Sequence, residues 1–416
     1  MEKRRRKTWL WVGGGLFGLL LALLVGGFGY WQYAAAVPEF RLPPDTLPAP
    51  RGYLQGRAAS QELLRSRSRV PNTWPNGSTT ELEAAVAPVR PALQRLRASF
   101  GEEWRVPTSI LTAARFQDYG AFREAARCFT VEAILAERRG DHDAALQHRI
   151  DALELGVRLR RGDGIMGILV GGAVNAIGVA GIETLPERAS PAALETALTR
   201  LRRIEADWPS LHQSLEIEAL VARADLARYL HELNARSLPQ QWQALDDLGD
   251  FGSGEKLRLL LTPRRAAAAR VDAYYRASVA ELMKPPGTRV KVSVPDDPWV
   301  KRFCTVLPAA YGTRDRSQVA LLVGALAVER WQREHGRYPR SMEELSGKWL
   351  PEAPVDAWER PLVYRLRNGR PLLYSLGPDG IDDGGRSLPP GGHLDDGARG
   401  DLAWGQLSPR RGGSGS

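Results

Sequence analysis

A chain of 416 residues with 43% hydrophobic content is long enough for two or three domains, each with its own core, which excludes a small cross-linked scaffold. Its two cysteines, Cys128 and Cys304, exclude a disulfide framework or a multi-cysteine metal site; each is read as an apolar core thiol, the alternative being that they pair with each other if both lie outside the cytoplasm. The formal net charge of +9 comes mostly from arginines spread along helices, read as solvated helix faces and not as a dense basic block, so no nucleic-acid partner is expected.

The N-terminus opens with a basic cluster, Lys3 to Lys7, and no charged residue follows until Glu39. About 20 apolar helical residues at ~1.5 Å each cross a bilayer core, and this run is longer than that. Trp9, Trp11, Tyr30, Trp31 and Tyr33 bracket it as an interfacial belt would. The expectation is a cytoplasmic stub over 1–8 and a transmembrane helix over 9–36, with everything beyond outside the cytoplasm. Ala34 to Ala36 would suit a cleaved signal peptide, but the apolar stretch exceeds a usual h-region, which favours an uncleaved anchor. A second uncharged run at 164–182 carries six glycines and Asn175. Side chains that small gain little from lipid, so this segment is expected to be a buried helix that lets neighbours approach closely.

Residues 37–78, broken by proline and glycine, are expected to form an extended linker. From 79 to 284 apolar residues recur at spacings of three and four, predicting a helical domain. Gly140 and Asp141 mark a helix end and the next start, so 119–161 is expected to be an αα-hairpin, and Ser190-Pro191 caps a further helix. The segment 285–310 reads as a linker with a short helix. A helix then runs from Ser317 to Gly336, and two alternating strands flank Asn368-Gly369, a strong hairpin signal.

The final stretch crowds carboxylates together. Two of them within about 4 Å repel by about 4 kcal/mol at an effective dielectric near 20, so a compact loop must neutralise them, turn them to water or bind a cation. Asp379, Asp382, Asp383, Asp395, Asp396 and Asp401 offer oxygens, and Gly377, Gly380, Gly384 and Gly385 allow sharp turns. The register is not that of an EF-hand. A solvated polar turn is the alternative.

An ordered set of motifs runs through the same region: Gly336, Tyr338 and Pro339; then Asp356, Trp358, Pro361 and Tyr364; then Ser375, Gly377, Asp379 and Gly380; then Asp401-Leu402. In this order they resemble the globular domain of the major pseudopilin of type II secretion systems, over about 317–405, with Ala357 and Glu359 departing from the pattern. The resemblance implies a small α+β module over 311–406, a calcium-binding loop and an association with a secretion- or pilus-type assembly in a bacterial inner membrane. The ligands expected first are Asp379, Asp382, Asp383 and Asp401, with the backbone carbonyl of Leu376; Asp395 and Asp396 come second. The apolar N-terminal segment lacks the family's glutamate, so polymerisation into a pilus is not implied. Residues 407–416 are read as a disordered tail.

Six histidines are present, with no zinc-protease spacing, nucleophile elbow or phosphate loop among the motifs. His142 and His148 are expected to be exposed, and His335 to serve the end of its helix. Glu216 and Glu218 fall on different helix faces. The expected protein is mainly α, not an enzyme, and acts by binding unidentified envelope proteins. The alternative is an extracytoplasmic hydrolase with its site in the helical domain.

Overall fold

The structure is a computed structural model that describes residues 22–40, 50–66, 75–107, 115–285, 288–304, 313–347, 349–386 and 399–405. In chain order the helices are α1 (22–35), α2 (Arg51–Arg65), α3 (Thr79–Val86), α4 (Arg90–Ser99), α5 (Arg115–Arg138), α6 (His142–Arg158) and α7 (Ile165–Val179). They continue as α8 (Pro191–Ala206), α9 (Leu211–Asn234), α10 (Leu238–Ala244), α11 (Ser253–Leu261), α12 (Arg264–Leu282), α13 (Pro298–Phe303) and α14 (Thr313–His335). One antiparallel sheet, in the order β1 (Val363–Arg367), β2 (Arg370–Ser375), β3 (Leu402–Ala403), completes a mainly helical protein.

The expected local signals operate as read. Gly140 takes a φ of 77°, and Asp141 accepts the N–H of Ala144 at 3.0 Å, so α5 and α6 form the hairpin. Ser190 Oγ accepts from the N–H of Ala193 at 3.2 Å ahead of α8. Asn368 and Gly369 both adopt positive φ, 55° and 74°, as a type I′ turn between β1 and β2 requires.

Two compact units emerge, one containing 22–40, 219–278 and 292–304, the other the remaining described residues. In the larger unit, α2 lies within a stretch expected to be an extended linker. Its two glycines explain why it folds: a Cβ at Gly52 or Gly56 would stand 2.5 or 2.2 Å from the indole of Trp104, so their absence lets the helix settle onto that ring. Trp104 is buried, donates to the Ser99 carbonyl at 2.9 Å and meets Tyr53, Phe100 and Phe122 with ring centres 6.0–6.1 Å apart.

The run 165–179 is the buried helix α7, packed on α5 and α6. Its N-terminal N–H groups, which no intrahelical carbonyl can serve, are taken by carboxylates: Gly164 donates to Asp163 at 2.8 Å and Ile165 to Glu218 at 3.0 Å. The arginine excess also has an interior role that solvated faces do not describe. Asp151 and Glu154 of α6 are fully buried, and Arg97 and Arg200 bind Asp151 at 2.7 and 2.6 Å, while Arg158 and Arg200 bind Glu154 at 2.6 and 2.8 Å. His148 joins this network by its ring nitrogen, 2.8 Å from Arg97, and is half-buried where exposure was expected; burial holds its pKa below the ordinary value.

α14 is apolar on every side, with Val319 to Val328 buried, because it is enclosed by α8 on one flank and the sheet on the other. One hydrophobic core therefore runs from Leu146, Ile150 and Leu198 through Leu322 and Leu326 to Leu362, Leu373 and Leu402. The segment expected to divide a helical domain from a terminal module does not divide two cores. Gly324 brings α14 onto β2, where a Cβ would come within 2.9 Å of Leu373.

The smaller unit buries Leu226, Leu230, Val271 and Tyr275 and stacks Trp299 on Phe303 beside Tyr229. Asp297 caps α13 by accepting from Trp299 and Val300. Most of the expected span 9–36 lies outside the described residues; its last part is α1, where Leu24, Val25 and Phe28 are over 60% exposed. Among the described residues no helix is long and apolar enough to cross a membrane. Cys128 and Cys304 are free, buried thiols, as read, and burial pushes both pKa values up, that of Cys304 to about 12.

Candidate functional site

The C-terminal loop is built on Asp356, which is fully buried at the turn that precedes β1. Its Oδ1 accepts the backbone N–H groups of Trp358 and Arg360 at 2.9 and 3.0 Å, and its Oδ2 accepts Ser375 Oγ at 2.7 Å. Ser375 in turn accepts the N–H of Gly377 at 3.2 Å, so a single carboxylate fixes both the turn and the first bend of the loop. Ala357 N–H donates to Ser317 at 3.1 Å, tying the turn to α14. Gly377 needs its φ of 66° and its lack of a side chain, since a Cβ would sit 2.2 Å from the Gly400 carbonyl as the chain returns into β3.

The four aspartates expected to act together meet different fates. Asp382 is spoken for: Oδ1 accepts from Tyr374 at 2.8 Å and from Gly384 N–H at 3.0 Å, and Oδ2 pairs with Arg365 at 2.5 Å. The Tyr374 hydroxyl, followed by the Gly384 N–H, holds its carboxyl below the usual range, while burial and that same carboxylate push Tyr374 to about 12. Asp383 is exposed. Asp379 accepts the N–H of Ile381 at 3.2 Å through Oδ1, and Asp401 accepts the N–H of Gly385 at 2.7 Å through Oδ2.

The other oxygens of those last two, Asp379 Oδ2 and Asp401 Oδ1, are buried with no hydrogen-bond partner among the described residues. Asp401 is fully buried, and desolvation raises its pKa against the Gly385 N–H, with the Asp382 and Asp383 carboxylates adding to the rise and the Asp383 N–H opposing it. Leu376 links the end of β2 to Gly377, and Asp395 and Asp396 lie outside the described residues. Among the described residues no three His, Cys, Asp or Glu side chains converge as a metal-holding group.

Two cations that the aspartate pattern does not announce complete the site. Arg360 donates to the Gly377 carbonyl and pairs with Asp356 at 3.3 Å, its guanidinium 5.1 Å from the Trp358 ring centre. Arg365 answers Asp382 from β1. Their signal in the sequence is positional: Arg360 is four residues past Asp356 in a tight turn, and Arg365 faces the loop from a strand. The crowd of like charge is thus relieved by Arg365, the Tyr374 hydroxyl and backbone N–H groups, leaving two acidic oxygens without a hydrogen-bond partner among the described residues. No protein family, curated protein or solved structure matches the chain.

Proposed function

We propose that the chain is a single-pass inner-membrane protein that acts by binding, with a pseudopilin-like α+β element whose loop takes up calcium and presents a docking surface to an envelope assembly. The observation that carries the metal is the pair of orphaned acidic oxygens, Asp379 Oδ2 and Asp401 Oδ1. A buried carboxylate oxygen without a partner is costly, and a hard cation that prefers six to eight oxygens removes that cost. Asp379 and Asp401 would hold the ion, with Asp383 and the Leu376 carbonyl as further donors, while Asp382 stays with Arg365. When bound, calcium supplies positive charge that neutralises the loop and orders it. The basic N-terminal cluster followed by a long uncharged run supports the membrane anchor.

The test uses the full chain in detergent micelles, because α14 and the sheet share their core with α8 and cannot be excised intact. Calcium at about 100 times its Kd stabilises by about 2.7 kcal/mol, a rise of a few degrees in Tm. Magnesium, which demands a tighter octahedron, is expected to do less, and Asp401→Asn to abolish the calcium response. An unchanged Tm in millimolar calcium removes the metal from this reading.

A further inference from the structure

The larger unit contains a cleft of about 610 Å³ lined by Glu205 at the end of α8, Trp208 and His212 after it, Arg289 beyond α12, Arg316 of α14 and Glu359. Its framework is fixed from beneath. Arg160, buried and paired with Asp315, lies with its guanidinium 4.9 Å from the ring centre of Trp208 and props the indole. Asp315 directly precedes Arg316 in α14, so the buried anchor and the cleft arginine sit on adjacent residues. Arg289 is held by its Nε, which donates to the Lys284 carbonyl at 2.9 Å.

The opposite charges of the cleft attract one another without closing into ion pairs among the described residues. Arg289 is disfavoured as a cation by burial and by Arg316, with Glu359 opposing. Arg316 forms no ion pair within 4 Å among the described residues, and the Glu205 carboxyl accepts no hydrogen bond among them. Burial pushes Glu205 to about 7, against the pull of Arg316 and of Arg202 on its own helix. Two guanidiniums that repel each other in a partly dehydrated cleft form a receptor for an oxyanion, and an indole at its wall suits the apolar C–H face of a saturated polar ring such as a sugar's.

We propose that this cleft binds a small sugar acid, its carboxylate taken by Arg289 and Arg316 and its ring laid against Trp208. The bound anion disfavours ionised Glu205, so binding takes up a proton there and tightens as pH falls through about 7. The charged and titratable groups around Glu205 are Arg202 from α8, Arg316 from α14 and, among the other residues of the cleft, His212, Lys284, Arg289 and Glu359. This site is independent of the calcium reading, since none of the loop aspartates lines it.

Isothermal titration of glucuronate into the full chain in detergent micelles, at pH 6 and pH 8.5, is the test, with glucose as the neutral control. The expected result is glucuronate binding about three- to tenfold tighter at pH 6, with glucose at least about tenfold weaker. Arg289→Gln and Arg316→Gln should each weaken binding about tenfold or more at unchanged Tm, and Glu205→Gln should keep binding but flatten its pH dependence. Absence of glucuronate binding at both pH values, equal binding of glucose, or unaltered affinity in both arginine variants overturns the proposal. Should an arginine variant lose its fold, Glu205→Gln decides alone: a pH dependence that persists in it overturns the proposal.

Discussion

Arg160 and Asp315 form a buried ion pair that fastens the chain just past α6 to the first turn of α14. Burial drags the Arg160 pKa down to about 9, which states how strongly the surroundings resist its charge. Removing the partner leaves that charge uncompensated, which costs about 3–5 kcal/mol, whereas replacing both groups by apolar ones of similar volume is often neutral. Asp315→Ala should therefore lower stability by about 3–5 kcal/mol in urea unfolding, and Arg160→Met combined with Asp315→Leu should recover most of the loss. A loss under about 1 kcal/mol in Asp315→Ala would show the guanidinium is solvated after all.

Gly156 of α6 and Gly171 of α7 mark a close crossing of these two helices. A Cβ on Gly156 would stand 1.9 Å from Asn175 Oδ1 and 2.7 Å from the Gly171 carbonyl, and one on Gly171 would stand 2.4 Å from the Gly156 carbonyl. Backbone cannot retreat as a flexible side chain can, so helix propensity, which favours alanine, loses to packing. Gly156→Ala should destabilise by about 1–3 kcal/mol, and Gly120→Ala on α5, with nothing within 4 Å of its Cβ, should be neutral or stabilising. Equal effects of the two substitutions would show that the crossing relaxes freely.

These glycines also show what is legible in a sequence. The run 164–182 declares a buried helix because its side chains are too small to favour lipid, and the Asn368-Gly369 hairpin and the Asp141 and Ser190 caps follow from local chemistry alone. Helix α2 does not, because its cause is Trp104, some fifty residues away in sequence, whose ring needs two glycines opposite it. The shared core has the same character: α14 reads as the start of a new element, yet its apolar girth already says it must be covered on all sides. In the loop, the aspartates are visible but the groups that answer them are not, since Arg365 reaches Asp382 from a strand and Arg360 reaches the Gly377 carbonyl from the turn before β1. Arg97, exposed, and Arg200, half-buried, look like free surface charge until the buried Asp151 and Glu154 that they pair with are seen.

Glu359 carries the clearest local conflict. It holds a φ of 61°, in the left-handed region that costs an L-residue about 1 kcal/mol or more, at the turn where its N–H donates to the Asp356 carbonyl at 3.0 Å. Glycine, which has no Cβ, adopts this backbone without that cost. Glu359→Gly relieves the strain while freeing the unfolded chain, so the net gain should be about 0.5–1 kcal/mol, read as a rise in Tm of a few degrees or less. Glu359→Gln keeps the backbone strain and removes only the charge that faces Arg289, so it should leave the Tm nearly unchanged. If Glu359→Gln stabilised as much as Glu359→Gly, the conflict would lie in electrostatics and not in the backbone. If both destabilised, the carboxylate would be holding Arg289 in place through their attraction across the cleft that both line, and the loss should then shrink as salt is raised.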